Sequence, residues 1–248
     1  MFFTASRRDL PCETQPGSEG QWATNIPSSS VSTSTRSFRL ATTDYSEWLL
    51  LGPLLRRLQR CAPGVQVLVR RLERLFLAPE ENLRNGTFDA ALGFFQDARA
   101  LEPGSHSLDL FEEDNVCIAR RGNPLLRKRL TAQHFAAAPQ IGVFYRFDSR
   151  GLIDNILAGK GLRRRLQATT PHFLSAPYVV AYSDLIACVP AGLARRFRKV
   201  LPLQIRRLPI AMPAFRLRLA WHEQTNDDPA QHWFRSLITE TAAEANLR

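Results

Sequence analysis

The sequence predicts an α/β protein built as two lobes, because short apolar strands alternate with helical segments along most of the chain. Two strand-turn-helix-strand patterns carry this prediction, one beginning at Phe38 and the other at Ile141. A length of 248 residues with 44% hydrophobic content is sufficient for a sizeable core. We therefore expect two lobes joined by two chain crossings, near Arg121 and near Pro213.

Residues 1–35 differ from the rest of the chain in composition. They are rich in Ser, Thr, Pro and Gly, and a run of Ser and Thr leads into the first strand. Such a segment cannot bury enough apolar surface to offset its ordering entropy, so we expect a disordered tail. The folded domain is expected to cover residues 36–245.

The first strand-turn-helix unit offers a candidate binding site. The strand Phe38–Thr42 is followed by a polar turn and then by a helix that carries apolar residues at Trp48, Leu51, Leu54, Leu55 and Leu58. The amides and dipole of a helix N-terminus at a sheet edge favour an anionic ligand. The candidate residues are Thr43, Asp44, Tyr45 and Ser46. The alternative is that Asp44 or Ser46 only caps the helix, which contributes about 1 kcal/mol.

The remaining elements of the first lobe follow in order. Pro63-Gly64 ends the helix, and a strand over Val65–Leu72, a short helix over Pro79–Arg84 and a strand over Phe88–Leu92 come next. Ser107–Glu112 and Asn115–Arg120 are two more strand-like runs. We expect the first lobe to comprise residues 36–120 and 214–245.

The second lobe, expected over residues 121–213, repeats this pattern. A strand over Ile141–Tyr145 precedes a helix over Leu152–Leu157 and a strand over Leu162–Thr169. A helix near Phe173–Tyr182, a strand over Leu185–Val189 and a helix over Ala191–Phe197 complete it.

The chain then returns to the first lobe. A strand over Phe215–Trp221 would place Phe215, Leu217, Leu219 and Trp221 on one face and Arg216 and Arg218 on the other. Asp228 should cap a final helix whose first residue is Pro229. Its apolar stripe consists of Trp233, Phe234, Leu237 and Ile238.

Composition narrows the class of protein. The 33 basic and 23 acidic residues give a net charge of +10, but the arginines are spread along the sequence, which favours solvated faces over a polyanion footprint. The four cysteines are far apart, which fits a reducing cytoplasm. No apolar run approaches the ~20 residues that cross a bilayer, and no secretory signal is present. We expect a soluble, cytoplasmic protein.

Catalytic and metal-binding signals are weak. The sequence has no G-x-S-x-G or P-loop motif, and Gly159-Lys160-Gly161 fits a helix end and turn. The five histidines show no helical pairing suited to a metal ion. We therefore expect no enzyme, no metal and no cofactor.

Four ordered segments carry a family resemblance. They are FRLATTDYSEWLLLGPLLRRLQRCAPGVQV, LRNGTFDAALG, FLSAPYVVAYSDLIACVPAGLA and LRLAWHEQTNDDPAQHWFRSLI. Together they resemble the effector-binding domain of LysR-type transcriptional regulators, most closely the branch whose effectors are aromatic or phenolic. The resemblance implies a two-lobed periplasmic-binding-protein-like fold with a ligand cleft between the lobes. It also implies an antiparallel dimer, with residues 48–60 lying beside the partner's residues 152–157.

The resemblance leaves out one part of a full regulator. A LysR-type regulator begins with a winged helix-turn-helix, and nothing before Arg36 has a long enough apolar 3.6-residue period to supply it. The hypothesis is a truncated gene, so we expect contact with DNA only through a missing module or a partner regulator.

The implied cleft adds candidate effector-binding residues from both lobes. Aromatic side chains there could stack on an aromatic effector, and Arg146 could pair with its carboxylate. The alternative for these residues is ordinary hydrophobic packing plus a surface arginine. The candidates are Phe94, Phe95, Tyr145, Arg146, Phe147, Phe173, Trp221 and His222.

The function expected from the sequence is therefore a sensory domain. A small, aromatic, anionic effector would bind between the lobes, shift their closure and so regulate transcription. One alternative is a solute-binding protein of transport, which a periplasmic location would favour. Another is a truncated regulator that forms mixed dimers with full-length relatives, which co-purification with such a relative would favour.

Overall fold

The computed structural model describes residues 34–95, 101–127, 129–145 and 151–246. The predicted tail lies almost entirely outside these residues, and so do the candidate site residues Arg146 and Phe147.

The described residues form ten strands and seven α-helices. The strands are β1 (Ser37–Thr42), β2 (Gln66–Arg71), β3 (Ala90–Gly93), β4 (Ser105–Glu113), β5 (Asn115–Arg120), β6 (Pro139–Val143), β7 (Arg165–Thr170), β8 (Ile186–Pro190), β9 (Leu203–Arg207) and β10 (Phe215–His222). The helices are α1 (Asp44–Cys61), α2 (Glu80–Arg84), α3 (Ala132–Ala137), α4 (Leu152–Ala158), α5 (Ala176–Ala181), α6 (Ala191–Phe197) and α7 (Pro229–Asn246). Short 3-10 helices cover Pro124–Leu126 and Glu223–Thr225.

The strands form two five-stranded sheets, one in each lobe. The first sheet has the order β2-β1-β3-β10-β4, and the second has the order β7-β6-β8-β5-β9. In each sheet three neighbouring strands are parallel and two more pair antiparallel. The predicted two-lobed α/β fold is confirmed.

The first chain crossing comes earlier than the sequence suggested. We expected it near Arg121, with residues 115–120 in the first lobe. The strand β5 instead pairs with β8 and β9 of the second sheet, so the chain crosses at Asp114. Only this residue separates β4 from β5. The acidic turn Glu112-Glu113-Asp114 between the two strand-like runs was a candidate for the change of lobe, but the boundary was expected after Arg120. The return crossing lies between β9 and β10, as expected.

Helix α1 begins at Asp44, inside the predicted turn, and its N-cap is Thr43 rather than Asp44 or Ser46. The Thr43 hydroxyl accepts a hydrogen bond from the Ser46 amide and so caps the helix. Leu50, Leu54 and Leu58 are buried in its stripe, whereas Leu55 is 38% exposed. The predicted apolar stripe is therefore wrong at Leu55. Leu50, Leu54 and Leu58 are four residues apart and share the buried face of the helix, whereas Leu55 lies beside that face.

One face of strand β10 carries Arg216 and Arg218, as predicted, but only Arg216 of the two is exposed. The pairing of β10 with β4 shifts register between Leu217 and Arg218, and the Arg218 side chain is buried. The Arg218 guanidinium donates to Asp109 at 2.5 Å and to the Phe95 carbonyl at 2.7 Å. Arg216 also donates to Asp109, at 2.9 Å, so the two arginines lie on the same face of β10, as predicted. The register shift leaves the extra residue, Leu110, in β4.

Two elements were not foreseen. Helix α3 and strand β9 are each only five or six residues long, too short for their apolar periodicity to stand out.

The final helix, α7, belongs to the first lobe, as predicted, and packs against β1 and α1. The Asp228 carboxylate accepts from the amides of Ala230 and Gln231, and Phe38 stacks on Phe234 with ring centroids 4.2 Å apart. Arg57 of α1 forms an ion pair with Glu240 at 2.6 Å. No helix among the described residues is long and apolar enough to cross a membrane.

Candidate functional site

A pocket opens between the two sheets, beside both chain crossings. It contains about 660 Å³ of empty space, part of which is open to solvent. The first lobe contributes residues from the segment after β2 and from the ends of β3, β4 and β10, and the second contributes β6, the start of α4, and β8. The lining comprises Leu75, Phe76, Phe94, Glu113, Asn115, Ile141, Gly142, Val143, Phe144, Gly151, Leu152, Ile153, Arg164, Phe173, Cys188, Pro190, Met212 and Phe215.

Aromatic rings from both lobes dominate this lining. Phe76 stacks on Phe215 with centroids 5.5 Å apart, and Phe94 meets Phe215 edge-on at 5.9 Å. Phe144 and Phe173 face them from the second lobe. Such rings favour offset or edge contacts with another aromatic ring.

A buried carboxylate links the two lobes at the edge of the pocket. Glu113, the last residue of β4, accepts a hydrogen bond from the Tyr45 hydroxyl at 2.6 Å and from the Gly192 amide of α6 at 3.0 Å. A Cβ atom at Gly192 would lie 2.8 Å from Glu113 Oε2 and 2.9 Å from the Tyr45 hydroxyl oxygen, so a larger residue here would have to displace these two side chains. Burial, and then the neighbouring Glu113 carboxylate, raises the pKa of Tyr45. Its hydroxyl therefore stays protonated and remains a donor.

The cationic side chain in the lining is already neutralised. Arg164 is 5% exposed in its side chain and donates to both carboxylate oxygens of Asp154 at 2.7 Å. Its guanidinium also lies 5.4 Å from the Phe144 ring centroid. This pair positions α4 against β7 and adds little net charge to the pocket.

One polar group in the lining has unused hydrogen-bonding capacity. The side-chain nitrogen Nδ2 of Asn115 is buried and has no hydrogen-bond partner among the described residues. A buried unsatisfied donor costs about 1–3 kcal/mol, so an acceptor placed there by a ligand would be favoured.

The residues of the predicted turn lie at the interface between the lobes, where most of their contacts cap helix α1 or join the lobes. Thr43 and Ser46 are fully buried and bond to each other at 2.9 Å, and neither lines the pocket. Asp44 reaches the second lobe, where one carboxylate oxygen accepts from the Leu174 amide at 2.8 Å. Tyr45 packs against Phe94 at 5.9 Å and Phe173 at 6.4 Å, behind the pocket wall.

Tyr145 forms a second contact between the lobes. The guanidinium of Arg71 lies 4.4 Å from its ring centroid, and the ring packs against the buried cluster that contains Phe95. Burial, followed by the nearby Asp44 charge, raises the pKa of its hydroxyl. Tyr145 and Phe95 are therefore interface and core residues, and neither belongs to the described lining of the pocket.

The structure does not bring Trp221 and His222 to the pocket. Phe215 lines it at the start of β10, and a strand advances about 3.3 Å per residue, so Trp221 lies roughly 20 Å away. Trp221 stacks on His106 at 5.7 Å and donates to Asn226 at 2.7 Å. His222 accepts from the Gln224 amide. Of strand β10, the pocket therefore includes the Phe215 end and not the predicted Trp221 end.

Among the predicted residues, Phe94 and Phe173 therefore line the pocket. The residues that were missed lie at the chain crossings, such as Glu113, Asn115 and Phe215, or after strands of the second lobe, such as Phe144. Their positions beside each crossing were a usable signal, because ligand clefts of two-lobed folds lie next to the connecting strands. No group of three or more His, Cys, Asp or Glu side chains suited to a metal ion occurs within the described part of the chain.

Comparisons with known proteins agree with this architecture. The LysR substrate binding domain family matches residues 32–243. The HTH-type transcriptional activator NagR of Ralstonia sp is 31% identical over 86% of this chain and 69% of its own length. Nodulation protein D 3 of Rhizobium leguminosarum bv. phaseoli is also 31% identical, over 85% of this chain and 68% of its own.

Solved structures show the same fold. A probable transcriptional regulator of Pseudomonas aeruginosa is 34% identical, with a TM-score of 0.74 over 84% of this chain and 67% of that one. The regulatory domain of MexT, a transcriptional activator from the same organism, is 29% identical, with a TM-score of 0.71 over 84% of this chain and 99% of that one. The expected resemblance is confirmed, and the chain belongs to the LysR substrate binding domain family.

Proposed function

We propose that this chain is a non-catalytic, cytoplasmic sensory domain that binds a small aromatic effector in the pocket between its lobes and so regulates transcription. The observation that carries the proposal is the pocket itself. Five phenylalanines, drawn from both lobes, line one interlobe space: Phe76, Phe94, Phe144, Phe173 and Phe215. A concave site lined mainly by aromatic side chains, with a few polar groups such as Glu113 and Asn115, has the composition typical of small-molecule sites.

The charges in the lining favour an uncharged effector over a carboxylate. Arg164 is paired with Asp154, and Glu113 brings a negative charge. The free donor is Asn115 Nδ2, which suits a phenol oxygen or a carbonyl. A carboxylate effector would depend on Arg146, which the sequence assigned to that role and which lies outside the described residues.

The lobe contacts indicate how binding could be transmitted. Glu113 and Asp44 each bridge the lobes, to Gly192 and to Leu174, and Trp48 of α1 packs on Phe197 of α6 at 5.6 Å. A ligand shifts this arrangement only if it binds one lobe orientation better than another. Because the pocket draws on both lobes, a bound ring would favour the closed orientation.

A thermal-shift screen with matched ligand pairs tests the proposal. Each pair shares a ring and differs in charge, such as 4-hydroxybenzamide with 4-hydroxybenzoate, and cyclohexanecarboxamide serves as the non-aromatic control. A ligand at 100 times its dissociation constant stabilises the folded state by about 2.7 kcal/mol. We expect the aromatic amides to raise the melting temperature and the cyclohexane analogue to do so less.

Two outcomes would change this assignment. If no aromatic compound shifts a well-folded sample, the aromatic-effector proposal fails. If the carboxylates bind tighter than the amides, and Arg146→Ala removes that preference without lowering the melting temperature of the free protein, the effector is an anion held by Arg146.

We also propose a homodimer, with a different contact from the one the sequence suggested. Helix α4 was expected to meet α1 of the partner, but Leu157 is fully buried, and Leu152 and Ile153 line the pocket. Helix α5 instead exposes Tyr178 at 52%, and Tyr182 follows at 81%. We expect Tyr178→Ser with Tyr182→Ser to shift the chain toward monomer in sedimentation velocity; an unchanged profile would remove α5 from the interface.

A further inference from the structure

The charge of this chain is divided unevenly between its lobes. Residues 115–212, which hold the second sheet, contain 17 of the 33 basic residues but only 3 of the 23 acidic ones, and no glutamate. The rest of the chain is slightly acidic. This imbalance is already present in the sequence, because residues 115–212 form one continuous segment that is poor in acidic side chains.

Six of the twelve arginines described in the first lobe form ion pairs with acidic side chains. Arg36 pairs with Asp228 at 2.6 Å, and Arg216 pairs with Asp109 at 2.9 Å. In the described part of the second lobe, Arg120 and Arg164 are the basic residues with a carboxylate within ion-pair distance. The basic groups of the second lobe are thus largely uncompensated.

Six of these basic residues lie on or beside the free edge of the second sheet. Strand β9 is the last strand of the second sheet, and it carries Arg206 and Arg207. Arg206 donates to the Leu126 carbonyl at 3.5 Å, which places it beside the segment that leads to Arg127. The Arg121 amide donates to the Pro202 carbonyl at 2.6 Å, just before β9.

Helix α6 adds two more cations at the same edge. Arg198 and Lys199 follow this helix in the turn that leads into β9, and both are exposed. We call this surface the β9 basic edge, defined by Arg121, Arg127, Arg198, Lys199, Arg206 and Arg207. All six side chains are exposed, and none has an acidic partner among the described residues.

Protection of an edge strand explains only part of this surface. Charged side chains on an edge discourage pairing with another chain, and Arg206 and Arg207 would suffice for that. The four other cations lie off the strand. Collecting like charges destabilises a compact fold unless a counter-charge relieves the repulsion.

We propose that the β9 basic edge binds the phosphate backbone of duplex DNA without reading its sequence. Five of the six groups are arginines, whose planar guanidinium donates two parallel hydrogen bonds to a phosphate. Contacts of this kind fix the position of a protein on DNA but carry no sequence information. This inference goes beyond effector binding, and it does not depend on which effector occupies the pocket.

Fluorescence anisotropy with the whole chain and a labelled duplex of arbitrary sequence, about 30 base pairs long, tests the inference. Affinity should fall steeply between about 50 and 200 mM salt, because each neutralised phosphate contributes roughly 0.9 to the logarithmic salt slope. The variant Arg127→Gln/Arg206→Gln/Arg207→Gln should reduce that slope by about 2–3. It should also weaken binding at least tenfold at low salt.

A matched control removes the same charge from the first lobe. Arg60, Arg70 and Arg74 are exposed and have no acidic partner among the described residues, and Arg70 lies on the edge strand β2. Their triple replacement by Gln should change the slope by less than one. Thermal melts of both variants confirm that each is folded.

Four results would overturn the inference. They are no binding at low salt, equal losses in both triple variants, competition by polyglutamate as strong as by unlabelled DNA, and a change in self-association with DNA affinity intact. The third result would indicate an acidic protein partner, and the fourth would indicate a second copy of this chain.

Discussion

Glu113 should be the side chain whose loss most weakens the connection between the lobes. Its carboxylate accepts from the Tyr45 hydroxyl at 2.6 Å in the first lobe and from the Gly192 amide at 3.0 Å in the second. Replacing Glu113 by Ala removes both acceptors and leaves the buried Tyr45 hydroxyl, on a residue that is 1% exposed, without a partner.

The magnitude follows from these contacts. A hydrogen bond to a charged group contributes about 1.5–3 kcal/mol, and relief of the desolvation of Glu113 offsets part of the loss. We expect Glu113→Ala to lower the free energy of unfolding by about 2–4 kcal/mol. Glu113→Gln keeps one acceptor oxygen for the Gly192 amide, and its NH2 group can donate to the Tyr45 oxygen, so it should cost less than Glu113→Ala, about 1–2 kcal/mol.

Urea denaturation of a double-mutant cycle with Tyr45→Phe measures this coupling. Because the phenylalanine removes the unsatisfied hydroxyl, the two losses should not add, and the interaction energy should be about 1 kcal/mol or more. A loss below about 0.5 kcal/mol for Glu113→Ala, or strictly additive losses, would refute the bridging role.

Three further predictions concern the pocket, the final helix and a buried thiol. Phe215→Ala should weaken binding of any aromatic effector found in the screen by roughly 10- to 100-fold in calorimetric titration, because it removes a ring contact and buried apolar area; an unchanged affinity would exclude Phe215 from the site. Burial raises the pKa of Asp228, but hydrogen bonds from Arg36 and from the amides of Gln231 and Ala230 outweigh it and lower the pKa overall. The resulting stability is present above the unfolded pKa and is lost as pH falls through the folded pKa, so Asp228→Asn should destabilise at pH 7 and not near pH 2; equal losses at both pH values would contradict this. Burial raises the pKa of Cys117, which is fully buried in β5, so its thiol should resist iodoacetamide at pH 8 until the protein is unfolded, as read by mass spectrometry; rapid labelling of the folded protein would contradict this burial.

The sequence predicted most of the fold because local signals were strong. Apolar periodicity and turn residues predicted the cap at Asp228 and the apolar stripe of α7. The same signals predicted the two strand-turn-helix units that start with β1 and with β6. The change of sheet at Asp114 was missed, because strand pairing depends on distant partners such as β8 and β9.

The site was less accessible to sequence reasoning. Phe94 and Phe173 were found because each follows or precedes a recognisable element, but Phe76 and Phe144 lie in segments whose position depends on tertiary packing. Trp221 was misplaced because a strand with aromatic residues at both ends gives no sign of which end faces the cleft. The hydroxyls of Thr43 and Ser46 fitted capping and binding equally well until their mutual hydrogen bond was visible.

The measurement that tests the central claim most directly is a crystal structure of the chain with the strongest aromatic hit from the screen. We expect the ring within about 4.5 Å of Phe94 or Phe215 in the first lobe and of Phe144 or Phe173 in the second, with a polar atom on Asn115 Nδ2. A ligand bound to one lobe alone, or outside this pocket, would contradict the account.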